Sequence, residues 1–207
     1  MICKKIAVWG MAGSGKSTFA VNLALALASR KFITGLLSAN VLYGDIQSFF
    51  GQTINEDKGL FNAMKGSAGS VQDMFWKSGL HENLFLLSIP NLYSGLEADA
   101  IQTEEVKKLY DECSLYFDFL IIDGKEDITN AISTLGLTLA EEIYTVYRPS
   151  VVNGLWHTAM GQFCEQLNLT KKIIPVLNAD QNACANFIWI GNESARRICK
   201  QHKKRAT

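Results

Sequence analysis

The 207-residue sequence predicts an α/β fold in three layers, a mostly parallel sheet with helices on both faces. Three observations predict it. Short apolar runs alternate along the chain with longer amphipathic stretches, the pattern of strands buried on both faces between crossover helices. The length suits one α/β domain with a real core. The first apolar run passes through a glycine-rich turn straight into an alanine-rich helix, Gly10-Met11-Ala12-Gly13-Ser14-Gly15-Lys16-Ser17-Thr18 joining the two.

The elements follow in order. Ile6-Ala7-Val8-Trp9 anchors a strand over 4–9, and the helix behind the turn runs over 16–30. Thr34-Gly35-Leu36-Leu37 gives a second strand over 33–38. Residues 44–79 carry Gly44, Gly51, Gly59, Gly66, Gly69 and Gly79 and read as short helices and loops beside the ligand. Further strands fall at 84–89, 118–122, 142–147 and 172–177, and helices at 99–113, 127–138, 151–167 and 192–203. Pro149 and Pro175 cannot donate to a ladder, so they mark element ends or sheet edges. No repeat, linker or low-complexity segment interrupts the series, which predicts one domain over 1–207.

The turn at residue 10 fits G-x4-G-K-[ST], the phosphate-binding pattern, and sits between strand and helix where that loop must sit. Its glycines let successive amides and the helix N-terminus converge on one anion, which makes the fold class a P-loop NTPase. Ala12, Gly13, Ser14, Gly15, Lys16, Ser17 and Thr18 are the candidate nucleotide-binding residues. Lys16 reaches the β- and γ-phosphates and is the candidate catalytic group, while the Ser17 hydroxyl holds Mg²⁺. In a parallel sheet ligands collect at the carboxyl ends of strands. Phe119-Leu120-Ile121-Ile122 delivers Asp123 to such an end, the place of a carboxylate on the Mg²⁺ water shell. Ser17 and Asp123 are thus the candidate metal residues. The expected cofactors are ATP or ADP with Mg²⁺.

Bulk properties narrow the setting. No run of 18 apolar residues exists to span a bilayer. Met1-Ile2-Cys3-Lys4-Lys5 leads straight into the first strand, which predicts no signal peptide and a cytoplasmic location. Cys3, Cys113, Cys164, Cys184 and Cys199 are far apart, a spacing that suits reduced thiols rather than a zinc site or disulfide framework. Net charge is zero, yet residues 196–205 hold six basic side chains and no acid, so the remainder carries −6. The basic end at about 196–207 reads as a solvated final helix. It also lacks a broad apolar face, so peripheral membrane association is weakly supported.

Taken together, the loop near residue 10, Leu36-Leu37-Ser38-Ala39-Asn40, the strand ending in Asp123, and Val176-Leu177-Asn178 resemble the MinD/ParA family of P-loop ATPases. Within that family the chain looks most like the TadZ/CpaE-like pilus-assembly branch. The resemblance implies that Asn178 reads adenine through its amide, and no Asn-Lys-x-Asp guanine reader is present, so ATP is favoured over GTP. It implies a protein partner such as a pilus or secretion ATPase or a membrane assembly complex. A homodimer stays open. Fully active members carry a second lysine where this chain has Met11, and acids where it has Ser38 and Asn40. Methionine cannot balance charge on a partner's phosphates, and neither Ser38 nor Asn40 is a carboxylate. Loss of a water-positioning acid commonly costs about 10² to 10⁴ in rate, so hydrolysis is expected to be slow or absent.

Lys125, Glu126 and Asp45 are substitutes for the missing groups only if they face the phosphates; as isolated charges they read as solvated loop residues, and Asp127 as the cap of the helix at 127. Two other functions share the loop. A small-molecule kinase would place arginines in its lid and acceptor site, and residues 31–147 contain none. A ParA-like DNA partition ATPase would use the basic end, but loss of the dimer lysine removes its usual clustering on DNA and argues against nucleic acid as a partner.

Overall fold

The computed structural model describes residues 3–54, 58–65, 70–90 and 101–178. The expected helix at 192–203, the basic end, Cys184 and Cys199 lie outside them.

Seven strands form one sheet in the order β3-β4-β2-β5-β1-β6-β7. They are β1 (Lys4–Trp9), β2 (Thr34–Ser38), β3 (Trp76–Lys77), β4 (Leu84–Leu87), β5 (Phe119–Asp123), β6 (Glu142–Tyr147) and β7 (Ile173–Leu177). All neighbours are parallel except β3, which pairs antiparallel with β4. The fold class read from the sequence is the one observed. β3 was not read, because two residues, Trp76 and Lys77, carry no periodicity. Pro175 lies in β7 at the sheet edge, where its missing N–H forfeits no central ladder bond.

Helices cover both faces because the strands alternate what they offer each side. Ile6, Val8, Leu36 and Ile121 face α1 (Lys16–Ala28) together with α2 (Gln47–Phe50). Helix α1 presents Ala20, Val21, Ala24 and Ala28, small side chains at i and i+4 that let it lie close to the sheet. Leu37, Leu87, Leu120 and Ile122 face α3 (Leu60–Lys65), α4 (Val71–Met74), α5 (Thr103–Tyr116) and α6 (Ala131–Leu139). Ala7, Trp9 and Ile143 pack under α6 and α7 (Val151–Gln166). The stretch 44–79 contains short helices, as expected.

Two helix starts differ from the sequence reading, both for reasons of capping. Helix α5 begins at Thr103, after a capping box in which Gln102 and Glu105 satisfy each other's backbone N–H groups. Helix α6 begins at Ala131 rather than 127. Asp127 accepts from the N–H groups of Thr129 and Asn130 and closes a turn of its own, and Asn130 caps the helix by accepting from Ser133 N at 3.0 Å.

Register then sets the site. β5 lies between β1 and β2, with Val8 and Ser38 both opposite Asp123. The loop after β1, the loop after β2 and the loop after β5 therefore emerge side by side.

Candidate functional site

The glycine-rich loop is built from backbone geometry that its residues permit. Gly13 and Gly15 have φ of +74° and +90°, the left-handed region that favours glycine. Gly10 is needed for close approach as well, since a Cβ there would sit 2.5 Å from the Val146 carbonyl oxygen. A Cβ on Gly15 would overlap the Asn178 amide. Ser14 N donates to Met11 O at 3.2 Å and closes the turn, and the first helical bond runs from Phe19 N to Gly15 O. The amides of Lys16, Ser17 and Thr18 precede the first i→i−4 bond and stand at the open end of α1. Gly15 ends the loop without a side-chain cap, so an anion is the natural partner for these groups.

An open cleft of about 480 Å³ lies over this end, within the size range of small-molecule sites. Ala12, Gly13, Lys16 and Ser17 form its floor, and Tyr43, Asp45 and Phe49 one wall. Lys125 and Glu126 form the other. Lys16 is only 8% exposed, and its ammonium lies 3.4 Å from a Glu126 carboxylate oxygen. Burial alone would raise the Glu126 carboxyl, but its own backbone N–H with Lys16 and Lys125 hold it below the usual carboxylate range. Two tryptophans fix that wall. Trp9 Nε1 donates to Lys125 O at 2.8 Å, and Trp156 Nε1 to Glu126 O at 3.3 Å, with the two rings edge to face at 4.8 Å. Lys125 lies 5.8 Å over the Tyr43 ring and bridges the two walls.

Asp123 sits beneath the loop, 3% exposed, with one carboxylate oxygen buried and without a hydrogen-bond partner. Burial pushes its carboxyl up to about 7, and nearby Asp45 adds to the rise, against a Ser17 hydroxyl hydrogen bond and the charges of Lys16 and Lys125. A buried carboxylate with an orphaned oxygen beside a helix-end hydroxyl is the donor set that Mg²⁺ takes, alongside phosphate oxygens. The residues present thus fit a nucleotide with Mg²⁺: loop amides and Lys16 for the phosphates, Ser17 and Asp123 for the cation.

The structure brings together Ala12, Gly13, Ser14, Gly15, Lys16, Ser17 and Asp123, with Thr18 exposed on the first turn of α1. Asn178 also reaches the loop. Its Nδ2 donates to Ser14 O at 2.8 Å and its backbone N–H to Tyr147 O at 2.7 Å, a bracing role that sequence reading did not give it. Sequence reading also missed the two tryptophans and the Lys16–Glu126 pair. No local pattern links residues 9, 16, 126 and 156. Glu126 competes with phosphate for Lys16 and repels it, so Glu126→Gln is expected to tighten ADP binding about twofold to fivefold, the scale of a partly exposed pair. Calorimetric titration checks this, and equal or weaker binding by the variant would refute it.

Sheet order, loop and buried aspartate define a P-loop nucleotide-binding fold, and it is the fold of the MinD/ParA ATPases. A ParA family ATPase from Chlorobium tepidum superposes with a TM-score of 0.75 at 21% identity, covering 89% of this chain and 78% of that one. The septum site-determining protein MinD from Pyrococcus horikoshii, complexed with Mg-ADP, gives 0.69 at 17% identity over 94% of this chain and 77% of that one. MinD in the Aquifex aeolicus MinC:MinD cell division complex gives 0.68 at 17%, covering 85% and 69%. No protein-family model and no curated protein matches the sequence.

Proposed function

We propose that the chain is a MinD/ParA-type nucleotide-binding protein that takes ATP or ADP with Mg²⁺, hydrolyses it weakly or not at all, and acts in the cytoplasm as a nucleotide-gated localisation or assembly factor for a pilus or secretion-type machine. The observation that carries the binding half is the open end of α1 with buried Lys16 and Asp123 beneath it. The likeness to a Mg-ADP-bound MinD supports the same ligand. Among the described residues Cys3, Cys113 and Cys164 are free and buried, which suits a reducing compartment.

Weak hydrolysis is supported by the fate of Ser38 and Asn40. Both are buried, and Asn40 spends its side chain within its own loop, accepting from Leu42 N at 3.0 Å and donating to Asp45 at 2.9 Å. Neither can activate water. Met11, without charge, offers nothing to a second copy's phosphates.

Gating is supported by the wall of the cleft. Tyr43 and Phe49 line it, and Leu42, Tyr43 and Phe49 are exposed. A nucleotide that orders this segment rearranges an apolar surface at the same time, which is how a binding event is passed to a protein partner. MinD in complex with MinC is a neighbour of this fold that assembles with another protein.

Calorimetry with ATP and ADP, followed by phosphate release, tests the proposal. We expect binding of either nucleotide and turnover well below about 1 s⁻¹, the low end of ordinary enzymes. Faster turnover would remove the weak-hydrolysis reading, and absence of binding would remove the whole.

A further inference from the structure

We propose that Asp45 supplies the carboxylate that Ser38 and Asn40 lack, and that with Ser17 and Asp123 it holds the divalent cation of a bound nucleotide. The inference rests on the nucleotide reading above and assigns one more residue to that site.

Asp45 belongs to the loop after β2, seven residues beyond the strand-end position Ser38. The two residues that stand where the family has acids both hold it. Ser38 Oγ donates to Asp45 Oδ1 at 2.8 Å, and Asn40 Nδ2 to Oδ2 at 2.9 Å. Ile46 N adds a third bond to Oδ1 at 2.8 Å. A carboxylate offers about four lone-pair directions. Three are taken, and the remaining one is on Oδ2. The donors therefore fix the group's orientation and leave one oxygen with capacity for a ligand.

The cleft and the sheet register place that carboxylate. Asp45 lines the cleft with Ser17 and Lys16. Ser38 is opposite Asp123 in the ladder, and Ala39 N donates to Asp123 O at 3.0 Å, so the loop that carries Asp45 springs from beside Asp123. Independently, Asp123 is buried with an oxygen that has no partner. Mg²⁺ is commonly held by one or two carboxylates, a hydroxyl and phosphate oxygens, which is the set these residues make with a nucleotide. Asp45 thus moves the negative charge from the strand end to the loop, and Ser38 and Asn40 become the groups that orient it.

A purely structural role differs in a measurable way. As a purely structural latch Asp45 accepts three bonds; asparagine keeps the oxygen that serves Ser38 and Ile46 and forfeits the bond from Asn40, a loss felt equally with and without Mg²⁺. As a cation partner it needs charge. The test is calorimetric titration of the full chain with ADP, in EDTA and in Mg²⁺, for wild type, Asp45→Asn, and Asp45→Asn with Asn40→Asp. We expect Mg²⁺ to strengthen ADP binding by wild type. In Asp45→Asn, affinity should rise in EDTA, where a negative charge near the phosphates has gone, and the Mg²⁺ enhancement should fall about tenfold or more, the scale for losing a carboxylate that supports a metal. The double variant returns a carboxylate to the strand end and should recover the enhancement. An undiminished enhancement in Asp45→Asn overturns the proposal, as does an equal loss of affinity with and without Mg²⁺. Wild type that binds ADP without any Mg²⁺ enhancement overturns it too, while leaving the nucleotide reading intact. Wild type that binds no ADP in either buffer overturns both.

Discussion

Replacing Lys16 with alanine is expected to weaken ADP and ATP binding by about thirtyfold to several thousandfold in calorimetric titration. Removing one partner of a desolvated charge pair costs about 2–5 kcal/mol, and each 1.4 kcal/mol is tenfold in affinity. Lys16 meets that condition, because it is almost fully buried while its present counterion, Glu126, is partly exposed. A phosphate arriving at the end of α1 would meet the ammonium with little water between them. The same reasoning predicts a small effect on folding. The Lys16–Glu126 pair is long at 3.4 Å, and Glu126 can return to water when its partner is gone. Unfolding by urea should therefore be nearly unchanged in the variant. Nucleotide affinity equal to that of wild type would remove Lys16 from the site.

The second large effect concerns pH. The Asp123 carboxyl is raised to about 7 from the ordinary 3.8, first by burial. Its folded-state value lies above its unfolded one, so the folded protein holds this proton more tightly. Stability from the group is complete below pH 4 and is lost as pH rises through about 7. The loss by pH 8 approaches about 4 kcal/mol for a shift of that size, a large share of a domain's total stability. Ligand-free wild type is therefore expected to denature at lower urea concentration at pH 8 than at pH 5.5. Asp123→Asn should flatten this dependence and be the more stable form at pH 8. Parallel curves for the two proteins between pH 5.5 and 8 would refute the account. A bound cation works in the opposite sense, because it favours the ionised carboxylate.

Some of this was legible in the sequence for a local reason. The phosphate loop is specified by contiguous residues: glycines at the left-handed positions 13 and 15, then a lysine and a hydroxyl at the start of a helix. β1 and β6 have the expected bounds, since short apolar runs between polar ends leave little choice. Asp123 followed from its place at the end of such a run. Helix starts were harder to read. Asp127 has the chemistry of a cap, yet it caps a turn, and Asn130 three residues later caps α6. Either residue would serve, and packing of Ile132 and Leu137 against the sheet decides which one does.

The charged residues divide most sharply. Read one at a time, Asp45, Lys125 and Glu126 are solvated loop charges. In the structure Asp45 is gripped by Ser38 and Asn40, Glu126 faces Lys16, and Lys125 lies over Tyr43. The two losses read in the sequence, at positions 38 and 40, acquire a use only when the loop folds back over them.

The sequence by itself determined the layer order, the phosphate loop and the absence of acids at 38 and 40, because each is written in neighbouring residues whose backbone preferences and periodicity act locally. Only the tertiary structure decided which charges meet. Residues 16, 45, 123 and 126 lie at or just beyond the carboxyl ends of β1, β2 and β5, which become neighbours through β5 inserting between β1 and β2, and that insertion is fixed by the burial of whole strands rather than by any residue at the site.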